Sequence, residues 1–346
     1  MLQGLPYGTH RVIEPIGVLP QTATRLDNDM SKFYDNEIRI AVDTLNIDSA
    51  SFTQIKEEAG GDPKRIGEIV TETVRRFGKQ QNPVTGSGGV LIGRVESIGS
   101  AISKDVDLSP GDEIVTLVSL SLTPLHIEEI LGVRAQVDAV DVRGTAILFG
   151  KTGFAKIPTD LPRGVSLAVL DVCGAPAQTD RLVKPGHVVC IIGAGGKSGM
   201  LCSYQARKNV GESGLVIGLD YSDESVARMK ETAFCHRYAR VDATKPLDVE
   251  RIVRELTDGR FADVTINVVN APCTEMSSIM ATKDDGTVYF FGMATSFTRA
   301  ALGAESIYRD PKMIIGNGYT EGHAALSLDL LRESEALRAL FEKLYG

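Results

Sequence analysis

The feature that most constrains this chain is an apolar run that stops at a cluster of glycines. Val188-Val189-Cys190-Ile191-Ile192 contains no charged residue, as a parallel strand buried on both faces requires. Gly193-Ala194-Gly195-Gly196-Lys197-Ser198-Gly199 follows at once, and residues 200–209 then carry a helical pattern. A strand, a glycine turn and a helix in that order make an anion site. Bare backbone lets a diphosphate approach, and the helix start offers N–H donors and the positive end of its dipole. The register is a variant of G-x-G-x-x-G: the sixth position from Gly193 is Ser198, while a reading from Ala194 finds Gly196 and Gly199. The bland alternative is a glycine turn that serves packing alone.

Further apolar runs at 215–219, 264–269, 288–291 and 313–315, with a weaker one at 237–241, bring the strands to six. Helical patterns such as 223–232 and 248–256 lie between them, so a doubly wound parallel sheet is predicted. Asp220 ends the second strand with Tyr221 beside it, where an acid binds the adenosine ribose hydroxyls. Its charge disfavours a 2′-phosphate, so NAD is expected; Arg228 and Lys197 keep NADP open. Asp242 and Ala243 end the third strand, at the expected adenine edge. Asn270-Ala271 and Phe291-Gly292-Met293 follow later strands and are expected at the nicotinamide end. Gly196-Lys197-Ser198 also invites a P-loop reading. That motif needs a glycine where Ile191 stands, and a magnesium-binding Asp where the chain has Asn270.

Residues 1–165 have a different rhythm. Glu37-Ile38-Arg39-Ile40-Ala41-Val42 alternates like a half-buried strand, and residues 88–99 hold a strand pair's worth of β-branched residues between glycines. Ser109-Pro110-Gly111-Asp112 is a turn before another strand at 114–118, and strands at such spacing suggest a small distorted barrel. Leucines at helical spacing over 324–344 predict one or two closing helices. A length of 346 residues accommodates two domains.

With 37 basic and 45 acidic residues the formal charge is -8, a poor field for sequence-independent nucleic-acid binding. No run approaches about 18 apolar residues, and residues 1–10 show no apolar leader. The five cysteines form no CxxC, so reduced thiols of a cytoplasmic protein are expected.

Gly93-Arg94-Val95-Glu96-Ser97-Ile98-Gly99, Pro110-Gly111-Asp112-Glu113-Ile114 and Val183-Lys184-Pro185-Gly186-His187-Val188-Val189 resemble signatures of the medium-chain dehydrogenase/reductase superfamily. The resemblance implies an α/β protein with a GroES-like β-barrel domain over 1–165 and a Rossmann doubly wound sheet over 166–315. The C-terminal helices, 316–346, would return to the barrel domain. Tyr7-Gly8-Thr9-His10-Arg11-Val12-Ile13-Glu14-Pro15 and the stretches 45–56 and 82–89 are similar to a narrower family, amine dehydrogenases of bacterial lysine fermentation. That likeness implies oxidative deamination at C3 of a small zwitterionic diamino acid, with reduction of NAD.

Zinc members of the superfamily use a Cys on an early barrel loop, a Gly-His-Glu segment and a later Cys or Asp. Here the loop is Asn46-Ile47-Asp48-Ser49-Ala50-Ser51, the segment is Gly86-Ser87-Gly88, and Cys173 alone remains. One thiol cannot hold a catalytic zinc, which needs three protein ligands, so no metal is expected. Asp48 then stands as the candidate base for the substrate ammonium; an Asp in Asp-Ser-Ala-Ser is equally a helix cap. Asn46, Ser49, Ser51, Thr85 and Ser87 are polar candidates for the substrate pocket. Asp171 is a second carboxylate for the substrate or a helix cap, and Cys173 lies beside it. Arg11, Lys56, His10 and His126 are the possible partners of the substrate carboxylate. Two other readings share these features: a zinc-free quinone or enone reductase, and a non-catalytic nicotinamide-binding sensor. The apolar strands at 288–291 and 313–315 suggest a homodimer paired through the sheet edge.

Overall fold

Strand periodicity differs between the two halves, and the computed structural model follows that difference. It describes residues 2–83, 86–150, 153–316 and 318–346. The chain divides into two units, Met1–Leu167 and Ala168–Gly346.

The first unit begins with β1 (Val12–Glu14) and β2 (Arg25–Leu26), an antiparallel pair. Then come β3 (Glu37–Asn46), α1 (Ser49–Glu58), α2 (Pro63–Phe77), β4 (Val90–Ile98), β5 (Glu113–Thr116), β6 (Leu125–Arg134), β7 (Ala139–Phe149) and β8 (Phe154–Lys156). Six of these strands form an antiparallel sheet in the order β6-β7-β3-β4-β5-β8. Alternate residues Ile38, Ile40 and Val42 of β3 enter one core with Leu91 and Val95 of β4, Phe52 of α1, and Ile66 and Val70 of α2. The stretch expected to supply two strands at 88–99 is the single strand β4. Its length follows from pairing with β3 on one side and β5 on the other. The helices α1 and α2 are not foreshadowed by the strand rhythm. Their local signals are nonetheless present: Asp48 and Asp62 cap them, Pro63 opens α2, and Gly78 ends it at φ 71°.

The boundary between the units falls within α3 (Arg163–Asp171). The second unit continues with α4 (Gly174–Leu182), β9 (Val188–Ile192), α5 (Lys197–Val210), β10 (Leu215–Asp220), α6 (Asp223–Thr232), β11 (Arg237–Arg240) and α7 (Pro246–Leu256). It ends with β12 (Ala262–Asn267), α8 (Glu275–Ala281), β13 (Thr282–Phe290), α9 (Phe297–Ser306), β14 (Lys312–Ile315), α10 (His323–Glu333) and α11 (Glu335–Tyr345). All six strands run parallel in the order β11-β10-β9-β12-β13-β14. The strand order therefore reverses beside β9, the switch point at which such sheets bind ligands. The last two helices, α10 and α11, follow β14 directly. They pack on α4 and α5 within the second unit, burying Leu328, Leu331, Leu337 and Phe341.

One buried cluster pins the start of the chain to β3. The Arg11 guanidinium donates from Nε and Nη2 to Glu37 Oε1 and Oε2 at 2.7 and 2.9 Å, and its other hydrogens reach the carbonyls of Asp27, Asp29 and Lys32. His10 Nε2 donates to Glu37 Oε1 while its Nδ1 accepts from the Leu5 N–H. Burial pushes the Glu37 carboxyl up, but the bonds from Arg11 and His10 outweigh it and hold the group below the usual carboxylate range. Its stabilising effect is thus complete above the unfolded pKa, about 4.3, and is lost as pH falls through the lower native value. Glu37→Gln should cost about 3 kcal/mol or more by stranding Arg11. It should also flatten the acid limb of a stability-versus-pH curve measured by denaturant unfolding.

Candidate functional site

The turn after β9 is built by steric exclusion. Gly193 has φ 92°, a conformation glycine favours, and a Cβ on Gly199 would strike the Gly193 carbonyl oxygen. Gly195 also has no room, but for another reason: a Cβ there would lie 2.5 Å from the Ser225 side chain of α6. Helix packing alone therefore keeps Gly195 bare, whether or not a diphosphate approaches it. Gly196 is the open position, since a Cβ on it would meet only the Gly193 oxygen at 3.5 Å. Gly196 also serves as N-cap of α5 without offering a side chain, so that helix starts uncapped above the turn, with Lys197 and Ser198 as its first residues. Asp220 Oδ2 accepts from the Gly195 N–H at 2.9 Å and Oδ1 from the Tyr221 N–H at 2.8 Å, which fixes the carboxylate at the end of β10. An uncapped helix start, an open glycine and a fixed acid suit a dinucleotide.

The other strand ends are similarly tied. Asp242 forms a local turn through Thr244, whose two donors hold its carboxyl below the usual range, and the Ala243 carbonyl accepts from Ser277 Oγ at 2.6 Å. β12 stops at Asn267, earlier than its apolar pattern, because the Asn267 amide turns inward to Thr274 Oγ1 and Ser278 Oγ. Its carbonyl accepts from the Phe291 and Gly292 N–H groups. A Cβ on Gly292 would strike the Val269 carbonyl. Asn270 and Ala271 are exposed beyond this lock, and so is Met293. Asp171 is paired with Lys197 Nζ at 2.6 Å. Cys173 is buried, and burial with the neighbouring Asp171 charge pushes its thiol up to about 12, so it packs as a neutral group.

In the first unit the polar residues around Asp48 form a second cluster. Asp48 caps α1: Oδ1 accepts from the Ser51 N–H at 3.0 Å, and Oδ2 from Ser51 Oγ at 2.5 Å and Ser87 Oγ at 2.6 Å. Both readings of this Asp meet here, since a capping carboxylate also keeps lone-pair capacity on Oδ1. Ser49 Oγ donates to Asp138 Oδ2 at 2.8 Å, and Asn82 Nδ2 to Gln54 Oε1 at 3.1 Å. Asp138, Gln54 and Asn82 are the members not singled out in the sequence; the positive φ of Asp138 marks the β6–β7 turn that delivers it. Asn46 is buried at the end of β3. Thr85 lies outside the described residues. Of the carboxylate partners considered, Arg11 and His10 are consumed by Glu37, Lys56 sits in the last turn of α1, away from Asp48, and His126 is exposed on β6.

These contrasts separate two glycines that look alike in sequence. Gly196→Val should abolish NAD binding in a fluorescence titration while leaving thermal unfolding nearly unchanged. Gly195→Val should instead lower stability by about 1–3 kcal/mol through overpacking on Ser225.

The family model for the L-erythro-3,5-diaminohexanoate dehydrogenase N-terminal domain matches residues 10–158. The chain is 54% identical over 344 residues to L-erythro-3,5-diaminohexanoate dehydrogenase of Acetoanaerobium sticklandii, covering 99% of this chain and 100% of that one. It is 53% identical over 345 residues to the enzyme of that name from Fusobacterium nucleatum, covering 100% of both. Among solved structures, a mycobacterial protein complexed with NADPH superposes with TM-score 0.56 at 17% identity, over 89% of this chain and 88% of that one. The CurK enoyl reductase superposes with TM-score 0.55 at 15% identity, over 89% and 87%. These two likenesses show the fold, which is of the medium-chain dehydrogenase/reductase type. The chain itself belongs to the L-erythro-3,5-diaminohexanoate dehydrogenase family.

Proposed function

We propose that the protein oxidatively deaminates L-erythro-3,5-diaminohexanoate at C3. The substrate, NAD and water become 5-amino-3-oxohexanoate, ammonium, reduced NAD and a proton. The observation that carries this reading is identity above one half along the full length of two relatives bearing that enzyme name. Bound NAD supplies the hydride acceptor. The 193–199 turn would hold its diphosphate, Asp220 its adenosine ribose, Asp242 and Ala243 its adenine edge, and the segments 270–271 and 291–293 its nicotinamide end. NAD is preferred because the cations near Asp220 are already engaged. Arg228 binds the Gly195 carbonyl and Glu224, Arg240 binds the Tyr221 carbonyl and Asp223, and Lys197 pairs with Asp171. Asp220→Asn should therefore narrow the preference for NAD over NADP in binding titrations.

Asp48 is the acid assigned to the substrate ammonium. Ser51 and Ser87 fix Oδ2, and Oδ1 keeps acceptor capacity for a cation or its proton. An amine nitrogen expels hydride once deprotonated, so the step needs no Lewis acid. The donor set agrees, since Asp48 and Ser87, which by the resemblance take the places of two zinc ligands, are bonded to each other. A reducing, cytoplasmic setting suits the five unpaired cysteines. A homodimer is supported by β14, an edge strand that exposes Met313 and Ile315.

Turnover of the diamino acid with NAD should rise with pH and survive dialysis against EDTA. Asp48→Asn should lower kcat by about 10²–10⁴ with NAD affinity nearly unchanged. Loss of activity on chelation with recovery on zinc, or an Asp48→Asn enzyme as fast as wild type, would overturn the mechanism. Light scattering should give twice the chain mass.

A further inference from the structure

Among the described residues two carboxylate side chains are buried, those of Glu37 and Glu275. Glu37 closes its cluster in the first unit. Glu275 opens α8 in the second, beyond the carboxyl end of β12, with a side chain 1% exposed. Its Oε1 accepts from the Ser296 N–H at 2.7 Å and from Arg299 Nη1 at 3.1 Å. Ser296 is the N-cap of α9 and ends the stretch that leaves β13. That stretch turns sharply, since the Thr295 N–H donates to the Gly292 carbonyl at 3.2 Å. The turn is held at both ends from one neighbouring segment. The Asn267 carbonyl takes the Phe291 and Gly292 N–H groups before it, and Glu275 takes the Ser296 N–H behind it. That segment is itself closed, because Asn267 Nδ2 donates to Thr274 Oγ1 at 2.9 Å, one residue before Glu275. The result is a ring of bonds across the carboxyl ends of β12 and β13, at the nicotinamide end of the cofactor placement given above. Asn267 alone would fix one end of the turn and leave the other free. A loop fixed at both ends before its ligand arrives has already given up the freedom that binding would otherwise cost.

We propose that Glu275 is a positioning residue for the cofactor: its bond to the Ser296 N–H staples the 292–295 turn, so that the nicotinamide end of the site is formed before NAD binds. This rests on the cofactor placement given above. Glu275 acts through the turn, and its effect is confined to one end of the dinucleotide. The other end has its own fixings, since Asp220 is held by the Gly195 and Tyr221 N–H groups. The acceptor oxygen carries the role rather than the charge pair, because Arg299 is 44% exposed and water can serve it.

Calorimetric titrations with NADH and with ADP-ribose, the same molecule without its nicotinamide, separate the two ends. Glu275→Ala should weaken NADH binding about tenfold, the worth of one hydrogen bond to a charged group. Its affinity for ADP-ribose should stay within about twofold of wild type. Glu275→Gln keeps an oxygen for the Ser296 N–H and should bring NADH affinity back to within about threefold of wild type. NADH and ADP-ribose weakened equally by Glu275→Ala would overturn the staple. So would an unchanged NADH affinity, or a Glu275→Gln protein that binds NADH no better than Glu275→Ala. If Glu275→Ala fails to fold, amide hydrogen exchange on the wild-type chain decides. The Ser296 N–H should be protected before any cofactor is added, and exchange there at the rate of an open loop would overturn the proposal. A wild-type chain that binds neither NADH nor ADP-ribose refutes the cofactor placement itself, whereas binding of both that Glu275→Ala leaves unchanged refutes only the staple.

Discussion

The second unit depends on how little space separates the end of β9 from the start of α5. Gly199 passes so near the Gly193 carbonyl that no side chain fits between them, and a Cβ on Gly195 would also strike Ser225 of α6. These exclusions seat the helix start over the carboxyl end of the central strand. The Asp220 bond to the Gly195 N–H then sets the second strand against the same turn. The uncapped helix start and the place of Lys197 follow from that close packing. The packing demand falls on Gly193, Gly195 and Gly199, while Gly196 is open.

The parallel sheet was legible because strands buried on both faces must be apolar throughout, and β9 and β10 are marked by short runs of that kind. β12 was read too long because Val268 and Val269 continue the apolar pattern, whereas the Asn267 side chain has already turned to Thr274 and Ser278. The role of Gly195 was not legible, since Ser225 reaches it only through tertiary packing. Arg11 and His10 looked like ligand-binding residues for a similar reason. Their partner Glu37 is distant in sequence, and nothing local shows that every guanidinium hydrogen is used within the fold. Asp48 was read as either base or cap, and the structure gives it the cap while leaving one oxygen with capacity to spare.

The buried ion pair of the first unit shows what a desolvated charge requires. Arg11 and Glu37 satisfy each other and five further groups in a closed cluster, so their contribution is to stability. The rule at work is that a desolvated charge must be paired.

Hydride transfer from the amine-bearing C3 is the central claim, and an isotope label tests it most directly. The diamino acid deuterated at C3 should be incubated with NAD, and the cofactor and products analysed by mass spectrometry. Deuterium should appear in reduced NAD, with one equivalent of ammonium and a 3-oxo acid that retains the C5 amine. Deuterium left on the carbon chain, or ammonium lost from C5, would contradict it.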